Sequence, residues 1–130
     1  MKTKFSGKQT ESILKLPGAE RYAHFIKRVC DSEEAWGLFD DGWALAETDR
    51  GQKVLPLWPA SEYAALCATG DWARFQPRAI PLKDLLDEVL PSLEEKEVLP
   101  DIFFTPQSWG VTPDTALLRT DLERELTRYQ

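Results

Sequence analysis

The sequence predicts an α+β fold, in which a small mixed or antiparallel sheet with a β-hairpin is covered by three or four helices. Two observations predict it. Stretches with apolar residues at helical spacing alternate along the chain with short apolar runs bounded by glycine and proline. The length of 130 residues and the hydrophobic share of 42% are those of one ordinary globular domain. We therefore expect a single domain over residues 17–130. Residues 1–16 are polar and weakly patterned, which predicts a mobile N-terminal arm that ends at Pro17-Gly18.

Four helices are predicted from apolar spacing and end signals. The first begins near Glu20 and ends between Asp31 and Glu34, and a short second helix follows an N-cap at Ser61. The third contains Pro91, which predicts a kink or a restart of the helix, and the fourth begins at an N-cap Thr112. The apolar positions of these helices are Tyr22, Phe25, Ile26, Val29 and Cys30; Tyr63, Leu66 and Cys67; Leu82, Leu85, Leu86, Val89, Leu90 and Leu93; and Leu118, Leu122, Leu126 and Tyr129.

A hairpin is predicted around Asp40-Asp41-Gly42, because an Asp-Gly pair accepts the positive φ angles of a tight turn. Its strands are residues 35–39 and 43–46. Residues 53–58 predict a third strand, and Pro56 places that strand at an edge or beside a bulge because proline has no N–H for the ladder.

Two further strands follow. Residues 72–80 predict a short edge strand that Pro77 interrupts, and residues 98–105 predict a final strand around Ile102-Phe103-Phe104.

Charge and composition exclude several classes of partner. The net charge of −6 argues against nucleic acid, which needs a basic surface to displace counterions, and favours a basic partner. No apolar run approaches the length of a membrane span, and the first residues lack the apolar stretch of a secretory signal, so we expect a cytoplasmic protein that does not bind membranes. Cys30 and Cys67 are predicted to be buried free thiols.

No catalytic constellation is visible in the sequence. His24 is the only histidine, which excludes any two-histidine metal motif, and its place in the first helix favours a structural role. The seven glycines are too widely spaced for a phosphate-binding loop. Asp40 and Asp41 are explained by the turn they occupy. We therefore expect no cofactor, no metal and no catalytic residue.

Tryptophan is the most informative residue type in this chain, with five in 130 residues. Trp36 and Trp43 flank the predicted turn and are expected to be buried against the first helix, so that replacing either with alanine costs more stability than replacing Trp58. Trp58 lies between two prolines. Trp58, Trp72 and Trp109 are the candidates for a binding rim, with Arg74 and Arg78 as a cationic end for an anionic ligand.

Several segments together resemble the bacterial family called domain of unknown function 2750. They are Leu16-Pro-Gly-Ala-Glu-Arg-Tyr22, Phe25-Ile-Lys-Arg-Val29, Trp36-Gly-Leu-Phe-Asp-Asp-Gly-Trp-Ala-Leu45, Val54-Leu-Pro-Leu-Trp-Pro59, Tyr63-Ala64, Gly70-Asp-Trp72 and Pro81-Leu-Lys-Asp-Leu-Leu86. The resemblance covers the chain from about Leu16 nearly to its end. It implies a small single-domain bacterial protein with no assigned activity, and it transfers no site residue. Two parts of the chain depart from the resemblance: the charged N-terminal arm and the loop Thr105-Pro-Gln-Ser-Trp-Gly110.

Three interpretations of function stay open. The residues favour a non-catalytic protein-interaction module, and immunity proteins of bacterial toxin systems offer an analogy of size and charge. The second is a small-molecule-binding protein or enzyme with an aromatic, arginine-containing pocket. The third is a homo-oligomer that uses the apolar stripe of the last helix.

Overall fold

The structure, a computed structural model, describes residues 7–129, with side chains from residue 11 onward. Helix α1 spans Gly7–Leu14, α2 spans Gly18–Ser32 and α3 spans Ser61–Leu66. A longer helical segment, the 82–95 helix, consists of Leu82–Asp84, Leu85–Val89 and Leu90–Glu95. The C-terminal helix spans Thr115–Leu126, and single 3₁₀ turns lie at Gly70–Trp72 and Thr127–Tyr129. Helices and small sheets alternate, so the fold is α+β as predicted.

Within residues 7–129, five strands form two small sheets. Strand β1 (Glu34–Phe39) pairs with β4 (Gln76–Pro81) in an antiparallel arrangement that sets Trp36 opposite Ala79. Strand β3 (Lys53–Leu57) lies between β2 (Ala46–Glu47), which is antiparallel to it, and β5 (Leu99–Ile102), which is parallel to it. A pair of backbone hydrogen bonds between Trp36 and Trp58, with N···O distances of 2.9 and 2.8 Å, joins the two sheets.

The predicted turn at Asp40-Asp41-Gly42 is present, but the hairpin around it is short. Asp41 and Gly42 both have positive φ, and Phe39 and Trp43 form a single antiparallel bridge. After the bridge the chain leaves β1. The whole length of β1 pairs instead with β4, from Phe39 opposite Gln76 to Glu34 opposite Pro81. A second hairpin, between β2 and β3, was not predicted; its turn is closed by Thr48 and Gln52. Local turn chemistry was therefore recognised, whereas the strand partners were set by long-range contacts.

The predicted edge position of the third strand is wrong, because β3 is the central strand of its sheet. Leu57 accepts a hydrogen bond from Phe103, next to β5, and backbone groups of successive residues point to opposite edges of a strand. The nitrogen of Pro56 therefore points away from β5, into the interval between the Val54 pairing with β2 and the Trp58 pairing with β1. A proline is tolerated there because no ladder bond requires its N–H.

Two predicted helix starts are displaced. Ala60, not Ser61, precedes the first residue of α3, and the Ser61 hydroxyl instead bonds the Glu62 carboxylate at 3.1 Å. The C-terminal helix starts three residues after the predicted N-cap Thr112. Asp114 caps it, and its Oδ1 accepts the Leu117 N–H at 2.7 Å. A carboxylate accepts a helical N–H as well as a hydroxyl does, so Asp114 serves as the cap in place of Thr112.

The core lies between the sheets, α2, the 82–95 helix and the C-terminal helix. Its fully enclosed side chains include Phe25 and Val29 of α2 and Leu118 and Leu122 of the C-terminal helix. The apolar stripe of the last helix is thus occupied largely by the chain's own core. Cys30 and Cys67 are buried free thiols, as predicted. The predicted domain over residues 17–130 and the mobility of residues 1–16 stay predictions; residues 1–6 lie outside the described residues.

No helix within residues 7–129 is long and apolar enough to cross a bilayer.

Candidate functional site

Three of the tryptophans named as binding candidates lie together, joined by Phe104. The rings of Trp58 and Trp72 meet edge to face at 6.4 Å between centroids. Phe104 lies 5.7 Å from Trp72 and 5.3 Å from Trp109. Such edge-to-face contacts favour aromatic pairs beyond the area they bury. We call Trp58, Trp72, Phe104 and Trp109 the aromatic cluster.

The members of the aromatic cluster differ in exposure, and the predicted place of Trp58 on a rim is wrong. Trp58 is completely buried, and its indole N–H donates to the Phe104 carbonyl at 2.8 Å. Trp36 and Trp43, predicted to be more buried, are only half-buried. The sequence suggested exposure because Trp58 stands between prolines, but it follows directly on the central strand β3, which carries its ring into the core. Trp72 is half-buried and Trp109 is 43% exposed.

One side of the aromatic cluster opens into a cavity of about 540 Å³, which we call the aromatic concavity. Three segments meet there: the region of β2, the end of α3 with its following 3₁₀ turn, and the loop after β5. Gly70 begins that turn with φ of 58°, a conformation that glycine adopts at little cost. The lining residues are Leu45, Ala46, Glu47, Cys67, Thr69, Asp71, Trp72, Phe104 and Pro106.

The aromatic concavity carries negative charge, and none of the described residues that line it is a cation. Asp71 and Glu47 are both exposed at its wall, and Glu47 makes a solvent-exposed ion pair with Lys53 at 3.8 Å. An exposed pair of this kind contributes little to stability and is readily exchanged. The wall therefore offers aromatic faces beside carboxylates, which suits a cation.

Cys67 lines the aromatic concavity but is a poor nucleophile. Burial raises the pKa of its thiol to about 12, against a small opposing effect of the Trp58 indole, and the thiol donates to the Phe104 carbonyl at 3.6 Å. The reactive form of cysteine is the thiolate, so a thiol with this pKa is inert near neutral pH.

Arg74 and Arg78 do not line the aromatic concavity, and their contacts are with residues at the end of β1. Arg74 pairs with Asp40 at 3.6 Å. The Arg78 guanidinium carbon stands 4.2 Å above the centre of the Phe39 ring, in a cation–π contact. In the cavities lined by the described residues, these two arginines therefore do not join Trp72.

Arg21 donates hydrogen bonds to the backbone of the loop that carries Phe104 and Trp109. This guanidinium is buried and donates to the carbonyls of Leu16, Phe103 and Trp109 at 2.7, 3.2 and 3.0 Å. Arg21 sits in α2, so one side chain ties the start of that helix to the loop. Sequence reasoning missed Arg21 and Phe104. The apolar run that contains Phe104 predicted only a strand. The residues next to Arg21 in the sequence give no sign that this helical arginine is buried.

Asp101 is a second buried charged residue beside this loop. It is completely buried, and neither carboxyl oxygen meets a hydrogen-bond partner of good geometry within residues 7–129. Burial raises the pKa of Asp101 to about 6, although the Gly110 backbone N–H and the Arg21 guanidinium act to lower it. A Cβ on Gly110 would stand 2.2 Å from Asp101 Oδ1, so only glycine permits this approach.

His24 lies in an aromatic setting, next to the rings of Tyr63 and Phe103 at 6.4 and 6.0 Å. Burial, helped by Arg28, lowers its pKa, so the ring is neutral at physiological pH. Within the described part of the chain, no group of three or more metal-ligating side chains is close enough to hold an ion.

Comparison with known proteins found one match. The model of the family described as "Protein of unknown function (DUF2750)" matches residues 22–122. No curated protein and no solved structure matches the chain. The matched range runs from α2 into the C-terminal helix and contains the whole aromatic concavity. Because the match covers most of the sequence, the chain belongs to the DUF2750 family.

Proposed function

We propose that the protein is a non-catalytic interaction module that holds an arginine side chain of a basic protein partner in the aromatic concavity. One observation supports the proposal above all: the rings of Trp72 and Phe104 and the carboxylates of Asp71 and Glu47 converge on one space of about 540 Å³. That volume is within the range of ordinary ligand sites.

An arginine side chain fits this combination better than other side chains do. Its planar guanidinium stacks on aromatic faces and donates several hydrogen bonds to carboxylates, whereas a lysine ammonium offers a compact charge without a stacking face. Glu47 of β2 and Asp71 of the 3₁₀ turn lie on different segments, and both line the same cavity as the Trp72 ring. A guanidinium bound in that cavity therefore has a carboxylate partner available from each segment.

The charge of the whole chain supports the same partner. A net charge of −6 attracts a basic surface over distances longer than the contact itself and raises the rate of encounter at low salt. Neutralisation of a basic partner in the manner of an immunity protein is one form that such binding takes.

The lining groups support binding rather than reaction. Cys67 keeps its proton near neutral pH, and His24 packs against Tyr63 and Phe103 instead of lining the aromatic concavity. The arginine-containing pocket for an anionic ligand is disfavoured, because neither Arg74 nor Arg78 lines the aromatic concavity.

The test is a titration with three peptides that differ at one position. Acetyl-Gly-Gly-Arg-Gly-Gly-amide and its lysine and glutamine versions are added to the labelled protein, and the indole N–H signals are followed by NMR. We expect the arginine peptide to bind most tightly, the lysine peptide less tightly and the glutamine peptide least. Trp72→Leu should weaken the arginine peptide about tenfold, and Asp71→Asn about threefold.

Matched controls separate the site from general effects. Trp109→Leu removes an exposed tryptophan of the aromatic cluster that does not line the aromatic concavity, and Glu95→Gln removes a charge from a distant exposed position. Both should leave the affinity unchanged. Equal affinity for the arginine and glutamine peptides, or equal losses in Trp72→Leu and Trp109→Leu, would contradict the proposal.

A further inference from the structure

A second cavity lies on the other side of Leu45, between the turn after β1 and the 82–95 helix. Its volume is about 570 Å³. We call it the helix groove. Its lining is mainly apolar, with three polar side chains from the helical side; the residues are Gly42, Trp43, Leu45, Leu55, Glu88, Val89, Ser92, Leu93, Lys96 and Val98. Leu45, which is 48% exposed, is the one residue shared with the aromatic concavity among those described.

The polar side chains form a row with opposite charges at its ends. Glu88, Ser92 and Lys96 are spaced by four residues, and all three line the helix groove. At 1.5 Å per residue, the ends of the row are separated by about 12 Å along the helix axis. One end of the helix groove is therefore anionic and the other cationic, with a hydroxyl midway between them.

The two charges at the ends of this row are not paired with other described side chains of the protein. Neighbouring charges are paired: Lys83 meets Asp87 at 3.3 Å, and Arg119 meets Glu123 at 4.0 Å. Within residues 11–129, in contrast, the Glu88 and Lys96 side chains form no ion pair and the Ser92 hydroxyl forms no hydrogen bond. Glu88 and Lys96 are both exposed, so each is available to a ligand in the groove.

We propose that the helix groove binds a short apolar peptide with both termini free, whose ammonium group meets Glu88 and whose carboxylate meets Lys96. The apolar side chains of the peptide pack on Trp43, Leu55 and Leu93. An extended peptide of three or four residues spans about 10 to 14 Å, which matches the separation of the two charges. The Ser92 hydroxyl lies where a peptide carbonyl or amide passes, a partner that a plain alkyl chain with charged ends does not provide.

The probe is trileucine, compared with N-acetyl-trileucine and trileucine amide, which each lack one terminal charge. The labelled protein is titrated with each, and the Trp43 indole N–H and Ser92 amide signals are followed by NMR. We expect trileucine to shift both signals, and each blocked peptide to bind about fivefold more weakly, the loss typical of one partly screened ion pair.

Two variants assign the termini to their partners. Glu88→Gln should weaken trileucine about fivefold and leave the affinity for N-acetyl-trileucine unchanged, because that ligand has no ammonium to lose. Lys96→Gln should likewise weaken trileucine about fivefold, and it should leave the affinity for trileucine amide unchanged, because that ligand has no carboxylate to lose. Glu95→Gln is the matched control: it lies on the same helical segment, is exposed and does not line the groove, so it should change nothing.

Three results would overturn the proposal. They are equal affinity for all three peptides, binding that leaves Trp43 and Ser92 undisturbed, and self-association in sedimentation that both Glu88→Gln and Lys96→Gln abolish. The last would assign the charged row to a second copy of the chain. None of these results bears on the arginine titration, since that experiment reads the aromatic concavity.

Discussion

Trp58 shows how one side chain can join separate parts of a fold. Its backbone bonds the two sheets together through Trp36, its ring is completely buried, and its indole N–H donates to Phe104 in the loop after β5. A buried donor and a large apolar surface are thus lost together when this residue is truncated.

We predict that Trp58→Ala lowers the free energy of unfolding by about 4 to 5 kcal/mol, the upper range for loss of a large aromatic side chain. Trp36→Ala and Trp43→Ala should each cost about half as much, because both rings are half-buried. Urea denaturation of the three variants measures the order. A larger loss in Trp36→Ala than in Trp58→Ala would show that the buried ring is not the main contributor.

Asp101 gives a prediction about pH. Its pKa is about 6 in the folded chain against 3.8 for the free group, so folding favours the protonated carboxyl. The protonation of Asp101 therefore stabilises the folded chain fully below about pH 4. This stabilisation is lost as the pH rises from there through 6, which lowers the free energy of unfolding by about 3 kcal/mol. The difference in unfolding free energy between the native protein and Asp101→Asn should therefore change by about that amount between pH 4 and pH 7. A difference that stays constant across this range would refute a raised pKa.

Gly110 gives a prediction about close approach. An added Cβ would lie 2.2 Å from Asp101 Oδ1 and 2.3 Å from the Ile102 carbonyl oxygen, and the second of these is backbone that cannot move alone. We expect Gly110→Ala to cost about 3 kcal/mol or more. Gly18→Ala is the control, since its Cβ meets only Val111 Cγ2 at an ordinary 3.5 Å. Calorimetric melting compares the two, and similar stability of both variants would count against the tight contact.

At the scale of elements, the 82–95 helix accommodates Pro91 by a wider turn. The kink predicted at Pro91 takes the form of a π-helical stretch, Leu85–Val89, in which the Leu90 N–H bonds Leu85 five residues back. In the same pattern the partner of the Leu86 carbonyl would be residue 91, which is proline and has no N–H. Arg119 of the C-terminal helix donates to that carbonyl instead.

This arrangement predicts coupling between two distant residues. Arg119→Met should lower stability by about 1 to 2 kcal/mol because the half-buried Leu86 carbonyl loses its donor. In a Pro91→Ala background, residue 91 supplies an N–H, so the same substitution should cost clearly less. A double-mutant cycle by urea denaturation measures the coupling energy, and additive effects would show that the two residues act independently.

At the scale of the whole molecule, the two thiols report on global unfolding. Cys30 lies on α2 and Cys67 after α3; burial is the main reason that their pKa values are raised, to about 11 and about 12. Both should therefore react with a thiol reagent far more slowly in the native protein at pH 8 than after denaturation. Rapid native labelling of Cys30, which lines neither cavity, would reveal opening of the core that this packing does not allow.

The candidate site was only partly predictable. Trp72 and Trp109 were named because tryptophan is rare and suited to recognition, and Phe104 joins them to Trp58. The sequence also placed Arg74 and Arg78 beside them, since both follow Trp72 closely along the chain. Arg78 of strand β4 contacts Phe39, and Arg74, which precedes that strand, pairs with Asp40, so neither arginine lines the aromatic concavity.

The sequence by itself determined the α+β class, the positions of most helices and strands, the buried thiols and the turn at Asp41-Gly42. These properties depend on periodicity and local backbone preference, which act within a few residues. Only the tertiary structure decided that β1 pairs with β4, that β3 is central despite Pro56, and that Trp58 is the most buried tryptophan. Each of these depends on contacts between distant segments, because burial and hydrogen bonding are set by what the rest of the chain brings to a residue.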